Sequence, residues 1–309
     1  MDNYIEIRGV TKRFKDKLVL DDISLVVPKG KIFGIIGQNG SGKTTLLNML
    51  IGFLKPNKGN ILFQGIDTFK DMKDIEIHFG FATQEDAFYY HLTVEENLYY
   101  FGRLYNINKK EIKDRIKKIL DLLKLESSLH VLGSHLSVGM RRRLDIACAL
   151  IHKPSVLILD EPTEDLDPLL RKELLSLIKR INEQGTTVII TSHHLEELES
   201  ICDEVVILNK TKIVKIGTPE ELEMGYSKNM ILTLELSSGK YSDFVKKLKS
   251  KVRIVDVNYE NNQALLETPD GLKLLSAALK LAKERKEVVV YISLDRPSLD
   301  VIFENIVRS

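Results

Sequence analysis

The chain has 309 residues and lacks the features that would assign it to a membrane, an oxidising compartment or a polyanion. No apolar run approaches the ~18 residues of a membrane span, so action at a membrane needs a partner that supplies the spanning segment. Cysteine is scarce. Cys148 and Cys202 stand far apart without metal-ligand spacing, and both are expected to pack as small apolar residues in a reducing cytoplasm. A dominant charge is missing as well. Lys and Arg number 45 against 44 Asp and Glu, a net of +1, and nothing in that balance calls for nucleic acid or an anionic membrane. The opening Met1–Glu6 is acidic and alternating, unlike a secretory signal. What remains is 43% hydrophobic and 29% charged. That is ordinary for a globular protein, with length for two domains at ~100–200 residues each.

One stretch organises the rest. Gly37-Gln38-Asn39-Gly40-Ser41-Gly42-Lys43-Thr44 fits the phosphate-loop pattern G-x-x-x-x-G-K-[ST]. The apolar run Lys31–Ile36 before it reads as a buried strand, and Thr45–Ile51 after it carries apolar residues at helical spacing. Glycines let the backbone N–H groups converge on one concavity, and the helix N-terminus adds positive potential there. Lys43 is placed to reach the β- and γ-phosphates of a nucleoside triphosphate, and the Thr44 hydroxyl to ligate Mg²⁺.

Two further strand ends carry chemistry. Val156–Leu159 is apolar and ends in Asp160 and Glu161. Ligands gather at the C-terminal ends of strands in open parallel sheets. Asp160 there suits Mg²⁺, directly or behind the inner ligands, and Glu161 suits a general base for water. Alone, the pair leaves a solvated acidic turn as the lesser alternative. Thr187–Ser192 is the second such strand and ends in His193 and His194. An imidazole there can hydrogen-bond a γ-phosphate, although a lone histidine at a strand end is more often structural. The acidic residues Glu196, Glu197 and Glu199 fit the start of the next helix. Between about Thr93 and Leu150 the pattern turns helical, with Ile112, Ile116, Ile119, Leu120 and Leu123 at three- and four-residue steps. Phe14, near the start, reads equally well as a stacking platform for a base or as a packed strand residue.

Leu136-Ser137-Val138-Gly139-Met140 resembles the signature motif of the ABC ATPases, and it precedes the Asp160 strand as in that family. Gln84 is similar to the glutamine of the family's Q-loop, Thr163–Asp167 to its D-loop, His193 to its switch histidine and Phe14 to its adenine-stacking aromatic. The resemblance covers about residues 4–220. It implies an α/β P-loop NTPase (ABC ATPase) core with an antiparallel β subdomain and a helical insertion at about 85–150. It also implies ATP and Mg²⁺ as ligands. Phe14, Gly37, Asn39, Gly40, Ser41, Gly42, Lys43, Thr44 and Thr45 contact nucleotide in this reading; Thr44, Gln84 and Asp160 hold the metal; Glu161, His193, Lys43 and Gln84 serve catalysis. Asp167 is also counted among the nucleotide-contacting residues. In the family two such domains pair head to tail, so Ser137 and Gly139 are expected to reach the nucleotide of a second subunit, a homodimer mate or a paralogous ATPase. A separate transmembrane permease is the implied partner, and the location is the cytoplasmic face of the membrane.

Three departures stand out. Val138 replaces a glycine, Met140 replaces a glutamine, and Glu164 and Asp165 occupy D-loop positions where small residues are common. Extra carboxylates beside a triphosphate are unfavourable unless they face a cation or water. The ending Gly139-Met140-Arg141-Arg142-Arg143 resembles the drug- and lipid-exporter branches that include the daunorubicin-resistance type. Its three arginines are expected on a solvated or interface-supporting helix face.

After residue 224 the pattern reads βαββαβ, which suggests a small ferredoxin-like α+β domain over 225–309. Strands are expected at Met230–Leu236, Val252–Tyr259, Gln263–Thr268 and Val288–Ile292. Two helices bury Tyr241, Phe244, Val245 and Leu248 on one face and Leu272, Leu275, Leu279 and Ala282 on the other. A short helix at Ser298–Val307 closes the chain, and its Pro297–Phe303 resembles the ending of the daunorubicin-resistance type. The expected function is the ATP-hydrolysing subunit of an ABC exporter. An importer ATPase with a regulatory C-terminal domain and a non-transport ABC ATPase are the alternatives.

Overall fold

The computed structural model describes residues 3–70, 75–226, 229–260 and 262–295. The chain divides into two compact units, Met1–Pro219 and Glu220–Ser309, a few residues before the boundary expected at 224/225. The expected closing helix at 298–307 and the Pro297–Phe303 ending lie outside the described residues.

In the first unit β1 (Asn3–Phe14) and β2 (Lys17–Pro28) form a long hairpin in which Phe14 pairs with Lys17. After β3 (Ile32–Ile36) and helix α1 (Lys43–Leu50), β4 (Lys58–Phe63) returns to β1, and β5 (Ile66–Asp67) closes an antiparallel sheet ordered β2-β1-β4-β5. The expected strand at 77–82 is shorter, β6 (Phe79–Ala82), because Ile75–His78 is still turned inward by a His78 N–H to Ile75 O hydrogen bond.

The helical block follows as α2 (Val94–Leu104), α3 (Lys109–Leu123) and α4 (Val138–Leu150). Thr93 and Glu96 form a reciprocal capping box, and Asn108 caps α3. The stripe Ile112, Ile116, Ile119, Leu120 and Leu123 is buried as its spacing predicts. Asn97 is fully buried. Its Oδ1 accepts from Tyr89 N, and its Nδ2 donates to the carbonyls of Tyr89, Leu92 and Thr93, so it pins the entry loop of the block.

Then come β7 (Val156–Leu159), α5 (Pro168–Glu183), β8 (Thr187–Ser192), α6 (Leu195–Ile201), β9 (Glu204–Asn209) and β10 (Lys212–Gly217). They complete a six-stranded sheet ordered β10-β9-β3-β8-β7-β6, parallel except at the β10 edge. Its middle strands are buried along their whole length, as continuous apolar runs in a parallel sheet require. Each fully buried Ile or Phe there contributes about 1.5–3 kcal/mol.

Helix α7 (Pro219–Tyr226) leads into the second unit. That unit holds β11 (Met230–Leu236), α8 (Ser242–Lys249), β12 (Asp256–Glu260), β13 (Gln263–Thr268), α9 (Gly271–Arg285) and β14 (Val289–Asp295). Its sheet is antiparallel throughout, ordered β12-β13-β11-β14, the split β-α-β arrangement. Two expectations need correction. The strand expected from Val252 begins only at Asp256, because Val252 N still bonds Leu248 O and its side chain caps the α8 core. Helix α9 buries Leu274, Ala278, Leu281 and Ala282, leaving Leu272 74% and Leu279 46% exposed. The helix is rich in leucine, and two overlapping stripes satisfy the same period. The sheet takes the one that lets Gly271 sit tight against Met230 and Leu294.

Two outcomes are expected. Leu281→Ala should destabilise the second unit by about 2–5 kcal/mol, and Leu272→Ala by less than about 0.5 kcal/mol, in urea unfolding. Asp145 in α4 accepts a hydrogen bond from Ala87 N, and burial pushes its carboxyl up to about 7. A free aspartate titrates near ~3.9, so the folded chain retains a proton that the unfolded chain releases between those values, and this group's contribution to stability falls as pH rises through that window. Unfolding midpoints measured from pH 4 to pH 8 should show that fall removed in Asp145→Asn.

Candidate functional site

Four adjacent strands of the parallel sheet end at one edge, and each delivers one functional segment. In spatial order, β3 leads into the glycine loop, β8 into His193, β7 into Asp160 and Glu161, and β6 into Gln84. Gly40 and Gly42 adopt φ of +81° and +104°, values that favour glycine and let the loop turn into α1. A Cβ on Gly37 would stand 2.3 Å from Ser41 Oγ and one on Gly42 2.7 Å from Leu20 Cδ2. The loop is thus clamped between its own serine and the returning strand β2.

The centre of the site is an ion pair. Lys43 Nζ lies 2.9 Å from Glu161 Oε1, with 5% and 7% of the two side chains exposed. Lys43 also donates to Gly37 O at 2.7 Å, and His193 Nδ1 stands 2.5 Å from Glu161 Oε2. Burial pushes the Glu161 carboxyl up, but the hydrogen bonds and charges of Lys43 and His193 outweigh it and hold the group below its ordinary value. Glu161 has φ of +51°, and its N–H is held by Thr191 Oγ1 at 2.9 Å. The same Thr191 hydroxyl donates to Asp160 Oδ1 at 2.6 Å, so one side chain of β8 locks both acidic residues of β7.

A cleft of about 340 Å³ opens over this centre, lined by Asn39, Gly40, Gly42, Lys43, Thr44, Thr45, Gln84 and Glu161. Lys17 and Val19 of β2 also line it, and neither was expected. The two-residue turn of the hairpin was their signal, since it returns β2 over the loop. Phe14 is not among the lining residues; it is 44% exposed with Lys12 Nζ 5.0 Å above its ring. Gly37 and Ser41 lie buried beneath the cleft. Thr44 and Gln84 line the cleft, whereas Asp160 is buried and does not, its Oδ1 accepting from Thr191. The hydroxyl, the amide and the carboxylate are hard oxygen donors with a single charge among them. That set suits Mg²⁺, which takes one or two carboxylates beside phosphate and water.

The signature residues do not join this cleft. Ser137 caps α4, its Oγ accepting from Met140 N at 3.4 Å, and Gly139 packs close to Leu170. Asp167 caps α5 through hydrogen bonds from Leu169 N and Leu170 N.

Of the two expectations for the arginines after Met140, the solvated face does not hold, because all three are paired within the chain. Arg141 and Arg142 lie 3.8 and 3.6 Å from Asp86, and Arg143 Nη2 is 2.6 Å from Glu173. Their partners sit 30 or more residues away in the chain, beyond the reach of a helical period. Glu197 stands in the first turn of its helix as expected, and it has a second task. It is buried and accepts from Thr163 Oγ1 at 2.5 Å and Ser192 Oγ at 3.0 Å, with Arg171 Nε 3.1 Å away. It therefore ties the turn after Glu161 to the turn before His193.

Beside the Gln84 loop a second cavity of about 220 Å³ lies between β6 and the helical block, lined by Phe79, Phe81, Phe101, Tyr105, Asp145 and His152 among others. His152 stacks on Tyr105 at 3.8 Å, and burial pushes its imidazole down to about 4.

Among the described residues no helix is long and apolar enough to cross a membrane. Residues 20–164 match the family described as "ABC transporter", and residues 130–199 match one described as "AAA domain, putative AbiEii toxin, Type IV TA system". The chain is 31% identical over 304 residues to a linearmycin resistance ATP-binding protein of Bacillus subtilis, covering 98% of this chain and 97% of that one. It is 32% identical over 304 residues to a daunorubicin resistance ATP-binding protein of Streptomyces coeruleorubidus, covering 98% and 95%. The solved structure of cbiO1 from Clostridium perfringens, part of the ABC transporter complex cbiONQ, superposes with a TM-score of 0.68 at 27% identity, over 72% of this chain and 91% of that one. With the phosphate loop, the two acidic residues and the histidine gathered at adjoining strand ends, these likenesses place the chain in a family: it belongs to the ATP-binding proteins of ABC transporters.

Proposed function

We propose that the chain hydrolyses ATP as one half of a dimer that drives export through a separate membrane permease. The observation that carries this reading is the buried Lys43–Glu161 pair on the phosphate cleft, with the half-buried His193 bound to the same carboxylate. A triphosphate entering the cleft offers Lys43 a stronger anion than Glu161. As Lys43 turns to the phosphates, Oε1 of Glu161 is released, still ionised, to take a proton from the attacking water. His193 holds Oε2 and keeps the carboxylate oriented. The convergent loop N–H groups and Lys43 stabilise the charge that develops on the transferred phosphoryl group. Thr44, Gln84 and Asp160 would hold Mg²⁺, which neutralises phosphate charge when bound.

Ser137 and Gly139 lie away from their own chain's cleft, which suits their use on the nucleotide of a second subunit, whether an identical chain or a paralogue. The helix N-terminus they begin favours an anion. The cavity between β6 and the helical block is the surface offered to the permease, since it adjoins the loop that carries Gln84. Drug-resistance relatives that span nearly the whole chain favour export over import, in keeping with the Gly139-Met140-Arg141 ending. On this reading the protein sits on the cytoplasmic face of the membrane, held there by its permease.

Glu161→Gln should retain ATP binding and lower turnover about 10²–10⁴-fold, the usual worth of a general base; hydrolysis at the parent rate would refute the mechanism. With Mg²⁺ and ATP, Glu161→Gln should elute as a dimer in size-exclusion chromatography. Adding Ser137→Glu, which sets a carboxylate against phosphate, should return it to a monomer, and a dimer that persists would count against the head-to-tail arrangement.

A further inference from the structure

The acidic pair after Thr163 has no part in the reaction described above, yet Glu164 is bound to the site. Its Oε2 accepts a hydrogen bond from Nε2 of Gln84, joining the loops that follow β7 and β6. An ionised carboxylate has no proton to donate, so only the NH₂ end of a glutamine amide can face it. The contact therefore fixes which way the amide points. Nitrogen is turned to Glu164, and Oε1, the only atom of that amide able to bind a cation, is turned away from it.

The main chain of Gln84 is held from another side. Arg142 Nη1 donates to Gln84 O at 2.5 Å while standing 3.6 Å from Asp86. Backbone and side chain are thus gripped independently, one by α4 and one by the turn after Glu161. The held glutamine lines the phosphate cleft beside Lys43, Thr44 and Glu161. An untethered glutamine would lose rotamer freedom on ligating a metal, a loss this arrangement has already met.

We propose that Glu164 is a positioning residue that presents Oε1 of Gln84 to the divalent cation of the bound nucleotide. The proposal rests on the reading of Gln84 as a cation ligand. The carboxylate also adds negative charge near the cation, so orientation and charge must be separated by experiment.

The test is binding, not turnover. The full-length protein is titrated with Mg²⁺ in the presence of a fluorescent non-hydrolysable ATP analogue, and affinity for the analogue is also measured in EDTA. Glu164→Ala should raise the Mg²⁺ concentration for half-maximal binding about fivefold, the worth of one net hydrogen bond, and leave affinity in EDTA unchanged. Glu164→Gln keeps an oxygen acceptor and should shift the Mg²⁺ dependence less. Parent-like or tighter Mg²⁺ dependence in Glu164→Ala overturns the proposal. Equal shifts in the two variants overturn it in favour of charge alone, and an equal loss with and without Mg²⁺ overturns it in favour of a general loop defect. A parent protein whose analogue binding ignores Mg²⁺ would instead remove the cation-ligand reading of Gln84 on which the proposal stands.

Discussion

A lysine and a glutamate buried against each other at the end of a parallel sheet set the terms for the rest of the first unit. Burying two charges is costly, and removing one partner of such a pair costs about 3–5 kcal/mol because the other is left uncompensated. The protein keeps the Lys43–Glu161 pair by giving each charge further partners: Gly37 O for the ammonium and His193 for the carboxylate. The pair and its partners follow three different strands, so the pair is satisfied only when β3, β7 and β8 are in register. Register in turn follows from the apolar runs that make up each strand, buried from end to end. Core packing and site geometry are therefore one constraint. A slip of one strand would leave an unpaired charge as well as a misfit in the core.

The same economy shows in the backbone. Glu161 and Asp165 both take the left-handed region without being glycine, a conformation that costs of order 1 kcal/mol or more and persists only where neighbours enforce it. For Glu161 the enforcing contact is the Thr191 hydroxyl on its N–H. Around Asp165 it is the pair of loop closures at Glu164 N to Glu161 O and Leu166 N to Thr163 O, braced below by the buried Glu197 cluster. A turn so over-determined can carry carboxylates near an anion site, because their directions are fixed. Glu164 faces an amide, and Asp165 lines a separate cleft with Arg141 and Arg142.

Much of this was legible in the residues. Apolar strands ending in Gly37, Asp160 and His193 declared a parallel sheet with its ligands at one edge, and the five-residue stripe of α3 declared its buried face. What stayed hidden shares one cause: its partners are distant in the chain. Glu197 read as a charge favouring a helix N-terminus, and nothing local reveals that Thr163, Ser192 and Arg171 converge on it. Arg143 read as solvated or interface-supporting because its partner Glu173 lies on another helix. Lys17 and Val19 escaped notice because hairpin geometry, which no pattern within β2 itself reveals, decides which residues of β2 overhang the loop. In α9 the difficulty was degeneracy, two leucine stripes with one period, and only the sheet beneath chooses between them.

The positions of Ser137 and Gly139 bear on how one chain could be stable alone and still serve the proposed dimer. Each has a structural task that needs no nucleotide: the serine caps α4 and the glycine admits Leu170 of α5. Asp167 likewise caps α5. Because their local duties are met within the monomer, these residues need no second subunit to fold. Their N-terminal helix potential nevertheless points outward, where only an anion would use it. A cleft with one charged wall holds a triphosphate from one side and leaves the other to water. Attack on the γ-phosphate benefits from excluding that water, since every charge on the site then acts through a lower dielectric. The physical case for a second subunit therefore lies in solvent exclusion over Lys43 and Glu161 more than in any group missing from the chain.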